Sequence, residues 1–194
     1  IVYYGPALCG KTTNVQCVHK MLAPHQRGDM MSLATKDDRT LFFDLLSLNL
    51  GRIKGYRLAI QLYTVPGQVF YNTTRKLVLK GVDGLVFVAD SQRTMRSSNT
   101  ESFENLQENL MLQGIDIKDF PHVLQFNKRD LPTAMPADVL TRDLRVKDEP
   151  VFEAGHAPGD PGRGPLGLDA PHHGHHVAHV AERGEAQHED AGRR

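Results

Sequence analysis

Gly5-Pro6-Ala7-Leu8-Cys9-Gly10-Lys11-Thr12 is the stretch that decides the fold. It fills the pattern G-x-x-x-x-G-K-[ST], with an apolar run over residues 1–4 ahead of it and a helical pattern over residues 10–22 behind it. A chain that turns tightly at Gly5 and Gly10 presents successive backbone N–H groups to a phosphate. The helix opening at Lys11 adds the positive end of its dipole. In this reading Pro6, Ala7, Leu8, Cys9 and Thr13 complete the cradle, Lys11 reaches the outer phosphates of a nucleotide, and the Thr12 hydroxyl ligates Mg²⁺. Cys9 reads as a small inward side chain, with a redox role as the alternative.

Outward from this loop, apolar strand-like runs at 1–4, 40–48, 57–65, 84–90, 122–126 and 151–153 alternate with helical patterns. The expected order is β-α-β-β-α-β-α-β-α-β, an α/β fold of the P-loop NTPase kind with a mostly parallel six-stranded sheet. The clearest helix starts near 97–99 behind a polar N-cap, with Phe103, Leu106 and Leu110 inward and Glu101, Glu104 and Glu108 in water. Another covers 137–144 behind Pro136. A last helix is due after residue 154, and no pattern for one is found there. Ligands of such sheets lie beyond the carboxyl ends of the strands.

At one of those ends stands Asn127-Lys128-Arg129-Asp130. A carboxylate at Asp130 can accept paired hydrogen bonds from the guanine N1–H and exocyclic amine, a donor pair that adenine lacks. Asn127 can bridge the base and the phosphate loop, with the Lys128 stem over the ring. Two further segments lie where a sensor of the third phosphate belongs. Asp38-Arg39-Thr40 precedes the second strand run and Thr64-Val65-Pro66-Gly67-Gln68 ends the third. Thr40 would close over Mg²⁺, Gly67 would donate its N–H to the phosphate, and Gln68 would orient the attacking water. Arg39 would place a guanidinium on the transferring group, or else stand as a solvated loop cation.

With these motifs in this order, and with the segments DRTLFFD, LYTVPGQVFY and QFNKRDLP, the sequence resembles the Ras-like small GTPases over about residues 1–154, and within them the bacterial gliding-motility and cell-polarity branch. The resemblance implies a Ras-like G domain that binds GTP and GDP with Mg²⁺ and hydrolyses GTP slowly alone. It implies acceleration by a roadblock-domain activating protein, motility or polarity effectors as readers, and a cytoplasmic protein recruited to a cell pole. It assigns Gly5, Gly10, Lys11 and Thr12 to the phosphates, Arg39 and Gln68 to catalysis, Thr12 and Thr40 to the metal, and Asn127 and Asp130 to the base. Thr64 departs from the aspartate most of the family places there, which is expected to weaken the outer shell of the metal.

Composition limits the alternatives. The 194 residues carry 23 Lys+Arg against 23 Asp+Glu, so no basic field is present to collect nucleic acid. Two cysteines exclude a disulfide framework, and no apolar run reaches a membrane span. The chain opens on Ile1, which reads as a cut from a longer chain. Residues 155–194 hold seven of the ten histidines and no Phe, Tyr, Trp or Lys, and three readings stay open for them: a disordered His/Gly/Pro/Ala-rich extension, a frameshifted continuation of the domain, or a metal-binding histidine tract. The expected division is therefore a G domain over 1–154 and a tail over 155–194. A nucleotide-binding module with negligible turnover, through loss of the last helix, is the alternative function.

Overall fold

The computed structural model describes residues 1–33 and 43–155. Eleven strands and helices follow one another along the described chain: β1 (Val2–Tyr4), α1 (Lys11–Met21), β2 (Arg27–Leu33), β3 (Phe43–Ile53), β4 (Tyr56–Thr64), α2 (Asn72–Val78), β5 (Leu85–Asp90), α3 (Arg96–Met111), β6 (His122–Asn127), α4 (Ala137–Leu144) and β7 (Val151–Glu153). The strands form one sheet in the order β2-β3-β4-β1-β5-β6-β7. Pairing is parallel from β4 through β7 and antiparallel for β2 with β3 and β3 with β4.

The sheet thus has seven strands where six were expected. The extra one, β2, reads Arg-Gly-Asp-Met-Met-Ser-Leu and lacks apolar alternation. Among the described residues it pairs only with β3, so backbone hydrogen bonds to a neighbour hold it in place, with Met30 the one side chain it packs on the core. The β3–β4 hairpin closes on Lys54 and Gly55, whose φ values of 51° and 88° suit the two-residue turn between Ile53 and Tyr56.

Each strand feeds both faces by its period of two. On one face Val2 and Tyr4 of β1 join Leu85, Phe87, Leu124 and Phe126, covered by Phe103, Leu106 and Leu110 of α3 and by Leu140 and Leu144 of α4. Phe87 meets Phe103 edge-on at 4.9 Å. The three glutamates of α3 stay exposed, as its pattern required. Its start differs, because Met95 holds the cap position and Asn99 lies inside the first turn. The Asn99 amide is spent on β5, donating to the Asp90 carbonyl at 2.8 Å and accepting from the Asp90 N–H at 2.9 Å. On the other face Leu46, Leu48, Ile60 and Leu62 pack with Val15 of α1. That cluster is the smaller of the two, and its partners Ile1, Tyr3, Val18 and Leu22 are only partly buried. Residues 156–194, on which the readings of the tail bear, lie outside the described residues.

At the far end of the sheet from the phosphate loop, His122 opens β6 and is 4% exposed. Its Nδ1–H donates to the Phe120 carbonyl at 3.0 Å, while Nε2 has no hydrogen-bond partner among the described residues and stands 3.9 Å from the Glu149 carboxylate. Burial holds the imidazole below its ordinary value of 6.5, against the opposing Phe120 and Glu149 contributions. The stability it confers is complete above that ordinary value and is lost as pH falls through the lower folded one, because the unfolded chain takes up the proton first. Urea melts between about pH 7 and pH 5 are expected to show a steeper loss of stability for the wild type than for His122→Gln. Equal slopes would remove His122 from this account.

Candidate functional site

Gly10 takes φ 100° immediately before α1, whose first turn has no side-chain cap. Its amides are therefore left facing the loop. Gly5 takes φ 144°, and a Cβ there would meet the Val88 carbonyl oxygen at 2.2 Å. A Cβ on Gly10 would meet Asn127 Nδ2 at 2.3 Å. The Thr64-to-Gln68 turn presses on the loop from the opposite side, where a Cβ on Gly67 would lie 2.2 Å from Ala7 Cα. Backbone touches backbone at all of these places except the Asn127 contact, and only glycine leaves the room.

Between the loop and that turn opens a cleft of about 610 Å³, lined by Ala7, Leu8, Gly10, Lys11, Thr12 and Thr13 from one side and Thr64 to Gln68 from the other, with Ser32, Phe43, Asp44 and Tyr71. That volume falls in the range of small-molecule sites. Lys11 projects into it although 7% exposed, and its ammonium is held by the carbonyls of Gly5 at 3.0 Å and Pro6 at 2.6 Å. Burial pulls its pKa below the ordinary lysine value, with Cys9 and Asp44 opposing. The cation has no hydrogen-bonded carboxylate among the described residues, which suits an anionic ligand. Cys9 is fully buried behind the loop, and burial pushes its thiol pKa up, which disfavours the reactive thiolate.

Thr12 makes the most informative contact. Its hydroxyl donates to Asp44 Oδ2 at 2.6 Å, Thr64 Oγ1 donates to the same oxygen at 2.9 Å, and Ser32 donates to Oδ1 at 2.7 Å. Ser32 and Asp44 are register partners across β2 and β3, and the Asp44 N–H donates back to Thr64 Oγ1 at 2.9 Å across β3 and β4. Carboxylate and hydroxyl oxygens are hard donors, the kind Mg²⁺ takes from a protein alongside phosphates and waters. Thr64 therefore does not leave this corner without a carboxylate, since Asp44 brings one from the adjacent strand. Sequence reasoning passed over Asp44; the available signal was a lone acid inside the apolar run Leu-Phe-Phe-Asp-Leu-Leu.

The Asn127-to-Asp130 segment sits beside the loop at the end of β6. Asn127 Nδ2 donates to the Cys9 carbonyl at 2.8 Å, across 118 residues of chain. Lys128 has φ 64°, and its ammonium pairs with Asp90 at 2.6 Å. Asp130 is exposed, and a Cβ on the neighbouring Gly155 would stand 2.8 Å from its Oδ1. Gln68 is exposed at the cleft mouth, just before the short 3-10 turn Val69–Tyr71. Arg39 and Thr40 lie outside the described residues.

The sequence matches the model of the ADP-ribosylation factor (Arf) family over residues 32–153. Among curated proteins, the mutual gliding-motility protein MglA of Myxococcus xanthus (strain DK1622) is 53% identical over 154 residues, 79% of this chain and 79% of that protein.

Gly10→Ala forces a side chain into a left-handed conformation and into Asn127. It is expected to cost about 1–3 kcal/mol in urea melts, and to separate the Asn127 segment from the phosphate loop. A variant of wild-type stability would refute the packing described.

Proposed function

Because the chain belongs to the ADP-ribosylation factor family of small GTPases, we propose that this cleft binds GTP and GDP with Mg²⁺ and hydrolyses GTP as a switch in bacterial gliding motility and cell polarity. The observation that carries this reading is the Asn127 amide on the Cys9 carbonyl at 2.8 Å, which makes a phosphate cradle and a base-reading segment into one continuous site.

The amides of the loop and of the α1 N-terminus bind the phosphates, and Lys11 transfers from loop carbonyls to phosphate oxygens. Thr12 would hold Mg²⁺ with Asp44 behind it, and the ion, when bound, neutralises charge on the phosphates. Asp130 accepts from the guanine edge, and Lys128, anchored on Asp90, lays its stem beside the base. The Gly67 N–H faces the third phosphate. Gln68 orients a water for attack on the terminal phosphorus; the bond to the bridging oxygen breaks and GDP and phosphate leave. In the same reading Thr40 closes over the metal and Arg39 supplies the guanidinium that stabilises charge on the transferring group. Their positions are outside the described residues, and the sequence motif alone supports them.

The expected partners are a roadblock-domain, MglB-like activating protein and motility or polarity effectors. A cytoplasmic protein recruited to a pole fits these, and no described helix is long and apolar enough to cross a membrane.

Single-turnover assays are expected to give slow phosphate release, faster with the activating partner. No release above background even with that partner would overturn the enzymatic reading. Asp130→Asn is expected to shift preference from guanine to xanthine nucleotides by about tenfold or more, the order that loss of a paired charge-assisted contact gives. Asp44→Asn should raise the Mg²⁺ concentration needed for tight GDP binding by about tenfold, worth roughly 1.4 kcal/mol. Unchanged metal dependence would exclude Asp44 from the metal's surroundings.

A further inference from the structure

Among the described residues, Arg75 is the largest side chain with no exposed surface. Charged groups reach such depth only when their hydrogen bonds are met, and this one meets no carboxylate among the described residues. Its Nε donates to the Pro66 carbonyl at 2.9 Å and its NH2 to the Gly67 carbonyl at 2.6 Å, so one planar fork holds two successive peptides of the turn. The third nitrogen donates to Asn105 Oδ1 of α3 at 2.7 Å. Below the fork the guanidinium carbon lies 5.0 Å from the centre of the Tyr4 ring.

Its partners are themselves fixed. The Tyr4 hydroxyl donates to the same Asn105 oxygen at 2.7 Å, and the Asn105 amide donates to Asn72 Oδ1 at 3.2 Å. Asn109 of α3 donates to that Asn72 oxygen at 2.7 Å. The turn that touches the phosphate loop at Gly67 is thereby tied, through one side chain, to β1 and to the middle of α3. None of the side chains of this network lines the cleft among the described residues; Arg75 meets it only through the Pro66 and Gly67 peptides.

We propose that Arg75 is a positioning residue: its buried guanidinium fixes the Pro66–Gly67 peptides against the phosphate loop and couples that turn to α3. Withdrawal of Gly67 from Ala7 would leave a buried cation without two of its acceptors, so the turn has one favoured seat and not a continuum of positions. The same cation, through its charge, adds to the lowering of the Lys11 pKa that burial begins. The role rests on the nucleotide switch proposed above, and it predicts sensitivity confined to GTP, because GDP needs the loop and the base segment but not this turn.

The test compares the full chain with Arg75→Gln, Arg75→Lys and Asn105→Ala, and takes Arg96→Gln, which breaks a surface pair with Asp143, as control. Hydrogen exchange across residues 65–71 is expected to quicken about tenfold or more in Arg75→Gln while β5 is unchanged. Single-turnover hydrolysis should fall by about tenfold or more with GDP affinity held within about threefold. Arg75→Lys should fall between, since a point charge cannot grip both carbonyls in one plane. Wild-type exchange and hydrolysis in Arg75→Gln overturn the proposal. So does an equal loss of GDP binding and hydrolysis, which marks a structural role only. If Arg75→Gln fails to fold, Arg75→Lys and Asn105→Ala decide, with faster exchange at 65–71 expected and wild-type exchange refuting. A wild type that binds GDP but releases no phosphate sinks the GTPase reading alone, because the exchange comparison needs no turnover.

Discussion

Close approach of backbone to one eight-residue loop is the constraint on which this molecule is built. Val88 of β5 bears on Gly5, the Asn127 amide on Gly10, and the loop's own Ala7 and Pro6 on Gly67. Each approach leaves no room for a Cβ, so the loop is gripped from three directions by elements far apart in the chain. The parallel run β4-β1-β5-β6 follows from this. Only neighbouring parallel strands bring their carboxyl ends to one edge, where the loop over residues 5–12, the turn over 64–68 and the segment over 127–130 can meet.

Electrostatics then divides that edge into two kinds of ground. Two buried cations, Lys11 and Arg75, are solvated by carbonyls, amides and an aromatic face. Two nearly buried carboxylates, Asp44 and Asp90, are solvated by hydroxyls, an amide N–H and one lysine. A carboxylate placed against Lys11 would neutralise the charge that suits an anionic ligand. Asp44 instead engages Thr12, one residue further on, so a buried cation and a buried carboxylate lie side by side without pairing.

What was legible depended on how local the cause was. The loop motif and α4 with its Pro136 start were readable because glycine conformation, a helix dipole and a proline-fixed N-terminus act within a few residues. The α3 face was readable from its 3.6-residue period. β2 was missed because an edge strand owes its existence to its neighbour. The Asn99 cap was misread because a side chain that suits a helix start was claimed by the Asp90 backbone across the sheet edge. Asp44 and Arg75 were missed because neither belongs to a local pattern. Their roles arise from cross-strand register and from a turn nine residues upstream folding back onto α2.

The sequence by itself determined that this chain turns through a G-x-x-x-x-G-K-T loop between strand and helix, carries the tetrapeptide Asn127-Lys128-Arg129-Asp130 after an apolar strand, and belongs among the small GTPases. These are short-range facts, written in glycine placement, charge and period. Only the tertiary structure decided that Thr64 is hydrogen-bonded to a carboxylate from β3, and that the turn at Pro66 and Gly67 is held by a buried guanidinium anchored on α3. Hydrogen bonds between residues 9 to 118 positions apart exist only once the sheet has brought strand ends together, because their donors and acceptors have no partner until the chain is folded.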